Sequence, residues 1–169
     1  MKLNVGLIGK GNWGTKIREK LDNLANVKFI SGRNQNFINQ INKKNIEWIF
    51  IATPNQTHYK IVKKCIMNSV NVFCEKPLCL SYEKAKELIL LARKKKVKLF
   101  ISDIYNFYSN KIKKLNKVNY VSRSKYVGGE DCEFFFRLMY HDISILYKFL
   151  KNKTFNNYHI SKDFNKKNF

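Results

Sequence analysis

Three glycines spaced Gly9-x-Gly11-x-x-Gly14 constrain this chain more than any other feature of its sequence. An apolar run from Leu3 to Ile8 leads straight into them. A helical pattern follows, with Trp13, Ile17, Leu21 and Leu24 expected on one face. Strand, glycine turn and helix, in that order, are the context in which this spacing carries meaning. Gly9 permits the tight turn, Gly11 lets the backbone approach a bound group, and Gly14 lets the helix close on the strand. The helix start offers N–H groups and partial positive charge to an anion, and the spacing suits a dinucleotide pyrophosphate. The turn therefore nominates Gly9, Lys10, Gly11, Asn12, Trp13 and Gly14 as cofactor-binding residues.

Downstream, the chain alternates. Strand patterns over Val27 to Ile30, Ile46 to Ala52, Asn71 to Cys74 and Val97 to Ile101 are separated by helical stretches. Those helices are expected over Asn36 to Lys43, Gln56 to Asn68 (Tyr59, Val62, Cys65 and Ile66 inward) and Tyr82 to Lys95. The third strand is apolar enough to be read as buried on both faces. Ser81 is placed to cap the last helix, with Glu83 in its first turn. Strands and helices of these lengths imply right-handed βαβ units, hence an α/β fold: a Rossmann-type doubly wound parallel sheet.

The residues closing the second strand discriminate between nicotinamide cofactors. A carboxylate there selects NAD by binding the ribose 2′-hydroxyl. This chain has Ser31 and Arg33 instead, a hydroxyl and a permanently charged guanidinium suited to a 2′-phosphate. NADP is the expected cofactor, ahead of NAD.

Composition bounds the alternatives. At 169 residues and 44% apolar content the chain can bury one good core. No run reaches membrane-spanning length, and no apolar signal core opens the chain, so the expected location is the cytoplasm. Cys65, Cys74, Cys79 and Cys132 form no CxxC pair; they are read as structural, and no metal site is expected. A net charge of +21 invites a nucleic-acid reading. The lysines, however, are scattered over helix ends in a chain saturated with Lys, Asn and Ile, and no recognition motif accompanies them. Compositional bias and attraction for a phosphorylated ligand account for the charge better.

Two further stretches follow strands: Ile51-Ala52-Thr53-Pro54-Asn55-Gln56-Thr57-His58 and Asn71-Val72-Phe73-Cys74-Glu75-Lys76-Pro77-Leu78. With the glycine turn, A-T-P-N-x-x-H and E-K-P at these spacings make the chain resemble the Gfo/Idh/MocA family, named for glucose–fructose oxidoreductase and inositol dehydrogenase. The resemblance runs from about Met1 to Tyr108. It implies that Thr53, Pro54 and Asn55 line the nicotinamide side of the cofactor and that His58 caps the following helix near it. It also implies that Glu75 contacts the nicotinamide ribose region, that Lys76 binds substrate and assists proton transfer, and that the bond into Pro77 is often cis.

Beyond Tyr108 the resemblance is uneven. Residues 1–104 read as the NAD(P)-binding domain and 105–169 as a partial, truncated α+β substrate domain. In Leu138-Met139-Tyr140-His141-Asp142-Ile143, His141 and Asp142 match a D-x-G-x-H-D-I pattern of similar proteins, in which the histidine is an acid/base or substrate ligand. Arg137 and Met139 stand where that pattern has Asp and Gly. The expected catalytic residues are Lys76 and His141. The large sheet of full members is represented here by Val118 to Val127 and Thr154 to Ile160 alone. The chain thus reads as an eroded member, a minimal variant forming homo-oligomers through exposed C-terminal strands, or a fragment of a larger enzyme. The implied activity is NAD(P)-dependent hydride transfer at a carbinol carbon of a small-molecule substrate: a sugar, cyclitol or sugar nucleotide. The alternative is a catalytically impaired protein or subunit that binds NADP without turnover.

Overall fold

The computed structural model describes residues 2–33, 36–103, 140, 141, 143 and 144. Its elements are β1 (Asn4–Ile8), α1 (Asn12–Leu24), β2 (Asn26–Ser31), α2 (Ile38–Lys43), β3 (Trp48–Ile51), α3 (Asn55–Met67), β4 (Asn71–Cys74), α4 (Tyr82–Lys95) and β5 (Leu99–Ile101). All strands run parallel in the order β2-β1-β3-β4-β5. The sheet is that of a doubly wound α/β fold, with α2, α3 and α4 on one face and α1 on the other.

The larger core fills the first face. Ile8, Ile49, Ile51, Val72 and Cys74 of the sheet pack against Ile41 of α2, Ile61, Val62, Cys65 and Ile66 of α3, and Leu88 and Ala92 of α4. The smaller core joins Val5 to Leu21 and Ala25, with Ile17, Val27, Trp48 and Phe50 at its edge. Burial of this apolar surface, at about 25 cal/mol per Å2, is what orients the strand ends described below.

Two expectations are corrected. Trp13 and Leu24 do not share the buried face of α1; they are 53% and 73% exposed. The buried stripe is Gly14, Ile17, Leu21 and then Ala25 just past the helix, in steps of three and four. Trp13 lies one residue, about 100° of rotation, off that stripe. Its ring instead carries the Lys16 ammonium 5.4 Å from the centroid.

The third strand is not buried on both faces. Ile49 and Ile51 are enclosed, while Trp48 and Phe50 are half-buried on the α1 side. There Phe50, Phe73 and Phe100 sit in register on β3, β4 and β5. Phe50 stacks on Phe73 at 5.2 Å, and Trp48 meets Phe100 at 5.9 Å. Among the described residues these aromatic rings cover one another on that face, and alternation replaces the continuous burial that the apolar run suggested.

Among the described residues no helix is long and apolar enough to cross a membrane. The proposed boundary near residue 104, the strands of the second half, Arg137, Met139 and Cys132 lie outside the described residues.

Candidate functional site

In a parallel sheet of order 2-1-3-4-5 the chain leaves β1 towards one neighbour and β3 towards the other. The crevice outside the carboxyl ends of β1 and β3 is then the place for a ligand. Backbone hydrogen bonds continue past the strands and hold the loops of this edge side by side. Gly9 N donates to Ser31 O at 2.8 Å, Ala52 N to Ile8 O at 2.8 Å, Glu75 N to Ile51 O at 2.9 Å, and Ser102 N to Cys74 O at 2.8 Å. Four loops distant in sequence therefore stand shoulder to shoulder with the glycine turn.

Each glycine of that turn has its own reason. Gly9 has φ +130°, and a Cβ there would lie 2.3 Å from Ala52 O. A Cβ at Gly14 would lie 2.3 Å from Gly9 O. A Cβ at Gly11 meets nothing within 4 Å. Internal packing thus demands glycine at positions 9 and 14. At position 11 the free side is open space outside the backbone, the shape a closely approaching ligand requires.

Gly11 caps α1 without a side-chain bond, and no acidic residue occupies the first turn. The N–H groups at the helix start consequently face the crevice with their partial positive charge uncompensated by a carboxylate. A cleft of about 560 Å3 opens beside the turn, lined by Leu7, Gly9, Lys10, Gly14, Thr15, Arg18 and Ile30. Lys10, Asn12 and Trp13 are exposed at the turn. Thr15 and Arg18 were not singled out from the sequence, and the signal was there: they stand one and four residues past Gly14, on the turns that begin α1. Arg18 is paired with Asp22 at 3.3 Å, with both side chains half exposed.

At the end of β2, Ser31 is buried and its hydroxyl donates to Gly32 O at 3.1 Å. Its carbonyl is the acceptor that holds Gly9. Arg33 is exposed in the following turn. Of the two residues, the guanidinium is the one presented outward.

The loop after β3 places Thr53 half-buried, Pro54 exposed and Asn55 half-buried at the start of α3. Thr57 Oγ bonds Thr53 Oγ and Pro54 O, each at 2.7 Å, and braces the turn. After β4, Glu75 is buried, Lys76 is half-buried, and the Lys76–Pro77 bond is cis.

His58 departs from its expected place. It does not cap α3, whose start carries no side-chain cap, and its ring is fully buried rather than facing the crevice. Its Nδ1 lies 2.7 Å from Pro77 O and its Nε2 2.8 Å from Thr53 O, so it ties the second and third loops to each other.

His141 is half-buried in a short helical piece with Tyr140, Ile143 and Ser144. The Ser144 hydroxyl donates to Asp103 Oδ2, which anchors this piece just past β5. Burial, together with the Asp103 carboxylate, pushes the Tyr140 hydroxyl up to about 12. The Tyr140 and His141 rings meet edge to face at 5.7 Å. Asp103 and Ser144 were missed in the sequence because they are 41 residues apart and neither belongs to a motif.

Burial raises the Cys65 thiol to about 12 and Cys74 well above its ordinary range, with the Glu75 carboxylate adding to the second. Both are held as protonated, apolar packing groups. No group of three His, Cys, Asp or Glu side chains suited to a metal ion occurs among the described residues.

Comparison with known proteins agrees with this geometry. A family profile described as oxidoreductase family, NAD-binding Rossmann fold (GFO_IDH_MocA) matches residues 18–102, half of the chain. The 2,7-anhydro-N-acetylneuraminate hydratase of Escherichia coli (strain K12) is 27% identical over 123 residues, covering 63% of this chain and 33% of that protein. The chain spans a third or less of the length of the curated relatives it matches. Among solved structures, UDP-N-acetylglucosamine 3-dehydrogenase GnnA from Acidithiobacillus ferrooxidans superposes with a TM-score of 0.57 at 22% identity, over 62% of this chain and 40% of that one. A structure described as an oxidoreductase from Magnetospirillum magnetotacticum MS-1 superposes with a TM-score of 0.71 at 18% identity, over 90% of this chain and 58% of that one. At these identities the structural likenesses establish the fold.

Proposed function

This chain belongs to the Gfo/Idh/MocA oxidoreductase family, with its NAD-binding Rossmann fold, and on that premise we propose that it carries NADP across the glycine turn and serves hydride transfer at a carbinol carbon of a sugar, cyclitol or sugar nucleotide. The observation that carries this reading is the run of backbone bonds that sets Gly9, Ala52 and Glu75 on one edge. That edge also carries the Thr53–Asn55 loop and Lys76, which supports a shared crevice.

Gly9 to Gly14 hold the pyrophosphate in this reading through the N–H groups opening α1. Arg33 meets the 2′-phosphate and makes NADP the preferred cofactor over NAD, with Ser31 shaping the loop beneath it. Thr53, Pro54 and Asn55 would border the nicotinamide end, and Glu75 would contact the nicotinamide ribose region. When bound, the dinucleotide supplies the hydride acceptor. Lys76 Nζ binds the reacting hydroxyl and manages its proton, and His141 is the second proton-handling group. A neighbouring imidazole needs a group to orient it, and the Asp103–Ser144 contact anchors its helical piece to the sheet. The likeness to an anhydroneuraminate hydratase supports a sugar-like substrate. Residues 1–104 form the cofactor domain and 105–169 contribute to the substrate side.

Binding without turnover is the second reading. It is favoured by Arg137 and Met139, which stand where similar proteins carry Asp and Gly.

Assays of the full chain with NADP or NADPH over sugars, cyclitols, sugar nucleotides and their keto forms separate the two readings. The proposed function predicts turnover with at least one substrate and a loss of about 10²–10⁴-fold in Lys76→Ala, with cofactor affinity retained. Saturable binding with no turnover on any member of the panel supports the second reading instead.

A further inference from the structure

His58 is enclosed on all sides, and both of its ring nitrogens meet the same kind of atom. Nδ1 is 2.7 Å from the Pro77 carbonyl oxygen and Nε2 is 2.8 Å from the Thr53 carbonyl oxygen. A carbonyl oxygen only accepts, whereas a neutral imidazole has a single N–H to give. Its bare nitrogen would turn a lone pair onto a carbonyl lone pair at bonding distance. Turning the ring over brings no relief, because carbon would then occupy those positions, well inside the roughly 3.3 Å at which C–H groups approach carbonyl oxygens. The arrangement is satisfied when both nitrogens donate.

We infer that His58 is a positioning residue: a doubly protonated imidazole that donates to the Thr53 and Pro77 carbonyls and so pins the Asn55 loop to the Lys76 loop. The sheet alone does not do this. The last bond between the two strand ends is Glu75 N to Ile51 O, and both loops run on beyond it. Thr53 lies two residues before Asn55, and Pro77 directly follows Lys76. The ring therefore closes a second rung between the loops, beyond the end of the ladder. Thr57, which bonds Thr53 and Pro54, stiffens the first loop from the same helical turn.

The energetics are opposed but resolvable. Burying a cation is costly, and the partial positive charge at the start of α3 adds to the cost. Two short charge-assisted bonds, each roughly twice as strong as a neutral one, act against it. Loss of the proton would also leave one buried carbonyl facing a lone pair, so the neutral ring is penalised in the same place. The consequence for turnover rests on the function proposed above: the separation of the nicotinamide-side loop from Lys76 is then set by His58, which itself touches neither cofactor nor substrate.

The test is nitrogen NMR on the full 15N-labelled chain at neutral pH, with His58→Gln used to assign the His58 ring among the three histidines. The expected result is a His58 ring with protons on both nitrogens, both slow to exchange with water. A His58 ring with one bare nitrogen overturns the inference. In His58→Gln, the amide signals of Asn55 and Lys76 are expected to shift together. A folded variant in which neither moves overturns the positioning role. If turnover is in hand, the same variant is expected to lose on the order of 10²-fold in kcat with NADPH affinity changed less than about threefold. The NMR results decide this point even if the chain binds no nucleotide, which a separate NADPH titration reports.

Discussion

Gly9 and Gly11 belong to one motif yet answer to different forces, and substitution separates them. Gly9→Ala introduces a Cβ 2.3 Å from Ala52 O at φ +130°. It is expected to cost on the order of 2–3 kcal/mol, read as a lower midpoint in urea or thermal unfolding. Gly11→Ala, with nothing within 4 Å of its Cβ, costs no more than about 1 kcal/mol, the penalty of alanine as an N-cap, and weakens the nucleotide by about tenfold or more. Arg33→Ala is expected to weaken NADPH by roughly ten- to a hundredfold, the worth of a charge-assisted phosphate bond, and NADH by less than about twofold. Equal losses for the two cofactors refute the role given to Arg33. The glycine turn was legible in the sequence because its chemistry is local: turn, close approach and helix packing fall within six residues. His58 was not, because its tie to Pro77 spans 19 residues and depends on how β3 and β4 pair. Its position was visible, but its partners were not.

At the scale of elements, α4 shows how far local chemistry reaches. Ser81 Oγ accepts from Lys84 N at 3.3 Å and donates to Glu83 at 2.6 Å, and the helix runs from Tyr82 to Lys95 as its capping residue implies. Ser81→Ala is expected to cost about 1 kcal/mol in denaturant unfolding. The Ser81 hydroxyl holds the Glu83 carboxyl below its ordinary 4.5. Its folded-state affinity for protons is thus lowered, so this contribution is complete above about 4.5 and fades as the pH falls through the folded value. Removing the hydroxyl should flatten that acid limb. Helix α1 marks the limit of such reasoning. A stripe of Trp13, Ile17, Leu21 and Leu24 is a sound apolar face by periodicity, but the glycine at position 14 must touch the turn, and that contact rotates the helix about its axis. Packing by the smallest residue overrode packing by the largest. The ladder of Phe50, Phe73 and Phe100 was hidden for a related reason: apolar runs do not say which face of a strand a helix will cover.

Across the whole molecule, a parallel sheet with intervening helices follows from alternation in the sequence, while its strand order and the grouping of Asp103 with Ser144 follow from the assembled fold alone. Ser144→Ala is expected to weaken the attachment of the His141 piece and so to lower turnover without changing cofactor affinity; an unchanged rate would separate His141 from the site. The net charge of +21 is distributed partly over helix ends, with Lys43, Lys64 and Arg93 to Lys95 in the last turns of α2, α3 and α4. There the charges complement the helix dipoles at the edge of the sheet opposite the glycine turn, while Lys10 and Arg18 are the cations that line the cleft itself. Every role proposed for these residues requires that the crevice beside the glycine turn take a nicotinamide dinucleotide. A fluorescence titration of the full chain with NADPH and NADH, run beside Gly11→Ala, tests it most directly. Saturable binding that is tighter for NADPH and at least about tenfold weaker in the folded variant is the predicted result. A folded chain that binds neither nucleotide saturably, or a Gly11→Ala chain that binds as well as the parent, contradicts it.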